Sequence, residues 1–101
     1  MNAVVSLVQV KFLVDLLALS DAVLVRPLDA KSHLPELTRL EAVLGREGLA
    51  GAERILLDAL SDIACTPATM AELYRLGRIA SEAHALLRDR LERITRHRVA
   101  A

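Results

Sequence analysis

The sequence predicts an all-α fold: a small bundle of about four helices with a long C-terminal helix, assembled as an intertwined or crossed homodimer. Three observations lead there. Apolar residues recur three and four apart in every stretch between the chain's few breaks. Over half of the 101 residues, 53%, are hydrophobic, more than a lone domain of this size can cover. A strict three-four seam runs through the last third. The breaks are Pro27, Pro35, the Gly45 to Gly51 cluster and Pro67, and with no repeat or long linker they delimit helices in one domain, 1–101, at about 3–25, 33–44, 50–64 and 67–97.

The first segment opens with an ambiguity. VVSLVQVKFLV alternates like a strand, yet its apolar run continues to Val25, ahead of Pro27, and no matching strand follows to pair with it. Read as a helix with Asn2 as N-cap, it is apolar on two sides. Val5, Val8, Phe12, Leu16, Leu19 and Val23 form one stripe, and Leu7, Val10, Val14, Leu17 and Asp21 lie roughly opposite. Lys11 and Asp15 share a narrow polar seam at i,i+4 spacing, which suits an ion pair. Such a helix is sandwiched between neighbours. Export or membrane anchoring is disfavoured, because no base precedes the apolar run and Lys11, Asp15 and Asp21 interrupt it.

Residues 26–33, RPLDAKSH, read as a loop ending in Ser32 as N-cap, with Pro35 and Glu36 in the first turn of the second helix. Leu34, Leu37, Leu40 and Leu44 make its buried stripe, Glu36, Arg39 and Glu41 its solvent side, and Gly45 its stop. The third helix buries Ala52, Leu56, Ala59, Leu60 and Ile63 and exposes Glu53, Arg54, Asp58 and Asp62. Cys65 reads as a small buried residue before a cap at Thr66, with Pro67 opening the fourth helix.

In that last helix Met70, Leu73, Gly77, Ala80, His84, Leu87, Leu91, Ile94 and Arg98 alternate three and four apart, as in a helix packed lengthwise on another. Leu76, Ile79, Ala83 and Leu86 form a second row, so the helix has two neighbours, one of them available in a symmetry mate. Gly77, Ala80 and Ala83 narrow the middle of the seam, allowing close approach of two backbones if Gly77 does not break the helix. The candidate dimer or partner interface is therefore Val10, Phe12, Val14, Leu17, Met70, Leu73, Gly77, Ala80, His84, Leu87 and Leu91. Assembly or solubility is expected to fail in Val10→Asp and Phe12→Asp.

The function classes narrow by composition. Phe12 and Tyr74 are the sole aromatics, too few for a ligand pocket or a base-stacking platform. Net charge is zero, but residues 1–66 carry −3 and 67–101 carry +3. The arginines at 88, 90, 93, 96 and 98 suggest nucleic acid at first sight, yet Arg88 with Glu92 and Asp89 with Arg93 make i,i+4 pairs, and arginines in a last turn complement the helix dipole. A helix-turn-helix built on residues 35–44 and 50–64 has an acidic recognition helix, with Glu53, Asp58 and Asp62 against Arg54. His33, His84, His97 and Cys65 show no metal-ligand spacing, and no cofactor motif is present. An enzyme reading has only scattered Ser20, Asp21, Ser32 and His33 to rest on, so no catalytic role is expected. His84 reads as a satisfied core or interface residue. One cysteine indicates a reducing, cytoplasmic setting.

What remains is a small homodimeric regulator that binds another protein, for example a transcription factor, and blocks its interface in the manner of an antiactivator. A chaperone or adaptor for a secreted or assembling protein is the alternative.

Overall fold

The computed structural model describes residues 7–48, 51–65 and 67–100, with side chains as far as Arg96. All regular structure among them is helical: α1 (Leu7–Val25), a 3-10 segment (Pro27–His33), α2 (Leu34–Glu47), α3 (Ala52–Ala64) and α4 (Met70–Ala100). The stretch that alternates like a strand is thus helix from Leu7 onward. Its start, with the cap at Asn2, lies outside the described residues.

Pro27 ends α1 as expected, but RPLDAKSH is not an open loop. Its 3-10 turns are closed partly by Ser32, whose Oγ donates to the Asp29 carbonyl at 2.7 Å. Ser32 therefore does not cap α2, whose N-cap position is His33 without a side-chain bond. The second helix also outruns Gly45. It ends at Gly48, whose φ of 65° is the left-handed conformation that only glycine adopts at no steric cost. Pro67 likewise precedes the last helix rather than opening it. Thr69 caps α4, its Oγ1 accepting the Glu72 N–H at 3.1 Å, and Thr66 lies outside the described residues.

The core is aliphatic. Phe12, Leu16 and Val23 of α1, Leu40 and Leu44 of α2, Leu56, Leu57 and Leu60 of α3 and Leu87 of α4 are essentially inaccessible. Buried apolar side chains of this kind contribute roughly 1.5–3 kcal/mol each. Helix α4 makes its most extensive packing with α3, and the two run antiparallel, since Glu53 near the start of α3 meets Arg90 far along α4. It also lies antiparallel to α1, where Ser20 meets His84 and Leu24 shares a groove with Gly77.

Helix α4 does not present two separate rows. Its buried stripe is Leu76, Ala80, Ala83 and Leu87, flanked by half-buried Leu73, Ile79, Leu91 and Ile94, and so draws from both. The reason is geometric: a helix resting in the cleft between α1 and α3 is covered along a line midway between the rows. Met70 and Leu86, at their outer edges, stay 60% and 62% exposed. Through Gly77 the helix is unbroken.

One expected exposure and two expected burials are corrected. Glu53 is buried at 6% relative exposure, because Arg90 reaches across from α4 and bonds its Oε2 at 2.8 Å. Leu34, meant for the α2 stripe, is 38% exposed at the end of the 3-10 segment, whose Ala30 takes the core position instead. Cys65 is exposed, one residue past buried Ala64, where α3 ends and the chain turns away from the core. Among the arginine-rich residues, Glu92 lies near Arg96 at 3.9 Å, and neither Arg88–Glu92 nor Asp89–Arg93 forms an ion pair within the described residues.

Candidate functional site

The apolar surface on α1 divides along its two stripes with two exchanges: Val8, from the first, is 50% exposed, and Leu17, from the second, is buried. One side supplies Phe12, Leu16, Leu19 and Val23 to the core. The other leaves Leu7 73%, Val14 49% and Val25 77% exposed. Lys11 and Asp15 form the expected pair at 3.1 Å, and Arg39 of α2 joins them, its Nη2 donating to Asp15 at 3.3 Å. Partial burial pushes the Asp15 carboxyl up, but hydrogen bonds from Lys11 and Arg39 outweigh it and hold the group below its ordinary value of 3.8.

Where the last turn of α1 and the start of the 3-10 segment meet the first turns of α4, the surface dips into an open groove of about 620 Å³. Leu24, Pro27, Leu28 and Ile63 line one side, and Met70, Leu73, Tyr74, Gly77, Arg78 and Ser81 the other. It is apolar at the base with a single guanidinium at the rim. Leu28 is 89% and Tyr74 73% exposed, and a Cβ placed on Gly77 would meet nothing within 4 Å. The glycine thus widens the groove without serving any contact inside the chain.

The eleven interface candidates fall into three groups. Phe12, Leu17, Ala80 and Leu87 lie in the core and are covered without a second copy. Val10, Leu73, Gly77, His84 and Leu91 are partly buried, with Leu73 and Leu91 packed against the core. Val14 and Met70 are exposed. Sequence reasoning did not single out Leu28, Tyr74 or Val25. Val25 was legible as the continuation of the stripe through Leu7 and Val14, but Leu28 sits in a polar octapeptide and gave no signal.

His84 gathers residues that the sequence leaves scattered. Its Nδ1 shares a 3.0 Å hydrogen bond with Ser20 Oγ, the donor being set by the imidazole tautomer, and its Nε2 stands 3.6 Å from Asp21 Oδ1. Serine, histidine and aspartate are together, yet Ser20 is wholly buried, so its oxygen is out of reach of a substrate carbonyl. The group fastens α1 to α4. Ser32 and His33 line an open depression that Asp21 also borders, with no hydrogen bond from either to Ser20, Asp21 or His84 among the described residues. No group of three metal-ligating side chains occurs among the described residues, and none of their helices is long and apolar enough to cross a membrane.

No family model, curated protein or solved structure matches the chain.

Proposed function

We propose that the chain is a small homodimeric regulatory protein that acts sterically, docking on a helical surface of another protein and blocking the interface that surface serves. The observation that carries this reading is exposed large apolar surface: Leu28, Met70 and Tyr74 around the groove, and Leu7, Val14 and Val25 along the outward side of α1. Contiguous apolar surface of this kind marks interaction sites.

A groove lined by Leu, Met, Tyr and Gly suits an amphipathic helix whose apolar residues recur at i, i+3, i+4 and i+7. Methionine and glycine there tolerate different side chains in the occupant. A transcriptional regulator that dimerises through helices is the kind of partner such a surface would sequester.

The test is affinity capture from native extract with wild type and with Leu28→Asp and Tyr74→Asp side by side. A DNA-binding regulator held by wild type and released by both variants is expected. A captured set that is identical for all three proteins would contradict the groove's role, and an export substrate in place of a regulator would favour the chaperone reading.

A further inference from the structure

The exposed face of α1 carries more information than its apolarity. Six residues lie on it at heptad spacing: Leu7, Lys11, Val14, Ala18, Asp21 and Val25, all exposed. At 100° per residue they fall within an arc of about 80°, the width of a helix-pairing seam. Their order is self-complementary. Turned end for end about the level of Leu16, the stripe sets Leu7 on Val25, Val14 on Ala18 and Lys11 on Asp21. Each pair joins one a-like to one d-like position, as antiparallel helix pairing requires.

We infer that α1 is the dimer interface, packed antiparallel on α1 of a second copy about a two-fold axis at Leu16. This rests on the homodimer reading above and assigns it a surface, an orientation and a register. The charges decide the orientation. Lys11 and Asp21 are each 74% exposed and are the only charged members of the stripe. The antiparallel register brings each against its opposite, twice over by symmetry, whereas a parallel pair in register sets lysine on lysine and aspartate on aspartate. The present partner of Lys11, Asp15, is also held by Arg39, so the lysine can turn to Asp21 of the second copy without stranding that carboxylate. Helix α1 lies between α2, through Arg39, and α4, through His84, so the seam is the outward ridge of the bundle.

Charge reversal tests the register. Lys11→Asp or Asp21→Lys alone should raise the dimer dissociation constant at least about tenfold, since each creates two like-charge contacts, and the double variant should return it close to wild type. Both positions are exposed, and unchanged circular dichroism checks that the variants fold. Cysteine cross-linking tests the orientation. In a Cys65→Ser background, Leu7→Cys mixed with Val25→Cys should form an interchain disulfide on oxidation, while Leu7→Cys alone should not, its two copies standing about 27 Å apart along the axis. Cross-linking of Leu7→Cys with itself, failure of the mixture to cross-link, or dimerisation indifferent to both charge reversals would overturn the assignment. A wild-type dimer that fails these tests leaves the homodimer reading standing with another interface; a wild-type monomer defeats both.

Discussion

Ser20 and His84, 64 residues apart in the chain, share a 3.0 Å hydrogen bond that joins α1 to α4 inside an otherwise aliphatic interface. Ser20 is fully buried, so without the imidazole its hydroxyl would have no solvent to turn to. His84→Leu should therefore cost about 1–3 kcal/mol, and Ser20→Ala less, about 1 kcal/mol, because it removes the wholly buried hydroxyl itself and leaves only the Nδ1 of an imidazole that is 12% exposed. Urea unfolding of both variants and of the double variant checks this. A double variant close to the worse single variant is expected, since the two side chains serve one interaction.

Glu53 and Arg90 make a second long-range fastening, between α3 and α4. Glu53 Oε2 receives Arg90, and Oε1 is buried without a hydrogen-bond partner. Arg90→Ala should be the more damaging single change, roughly 2–4 kcal/mol, because it leaves a buried carboxylate unpaired; Glu53→Leu together with Arg90→Leu should recover most of the loss. Thermal unfolding of the three proteins at one pH measures the difference.

Gly77 offers a prediction with opposite signs for stability and binding. Nothing within 4 Å opposes a Cβ there, and the helix is continuous. Gly77→Ala should stabilise the chain by about 0.5–1 kcal/mol. It should also weaken capture of a partner in the groove, whose wall it narrows. Denaturant midpoints and capture yields, compared on the same preparation, read the two effects.

The Asp15 cluster sets an acid limit. Its carboxyl lies below 3.8 in the folded protein, so the stability gained from Lys11 and Arg39 is fully present above that value and is lost as pH falls through the lower folded one. Asp15→Asn should be less stable than wild type at neutral pH, with the gap closing only below about pH 3.8. Urea midpoints at neutral pH and at about pH 3 provide the comparison.

Much of the fold was legible because it depends on local rules. The breaks at Pro27 and before α3, the leucines of α2 at 37, 40 and 44, and the core side of α1 follow from helical periodicity and from residues that disfavour helix. The caps were read less well. Thr66 with Pro67 resembles a helix start, but Thr69 with Glu72 three residues on is the stronger capping pattern and is the one the chain uses. Gly45 reads as the stop of α2, but a glycine is tolerated inside a helix, and the left-handed turn that ends it falls at Gly48. The long-range pairs, Ser20 with His84 and Glu53 with Arg90, were out of reach, since they depend on how α1 and α3 register against α4. That registry also moved Phe12, Ala80 and Leu87 from a candidate interface into the core. Phe12→Asp is accordingly expected to unfold the chain, and it is Val14 that reports on assembly.

An interface on the outward side of α1 requires that side to be covered in solution. Static light scattering on the wild-type chain during size exclusion measures this. A mass twice the 11.0 kDa of one chain is expected, falling to one chain in Val14→Asp with helicity retained. A folded wild type that runs at 11.0 kDa across the accessible concentration range would contradict it.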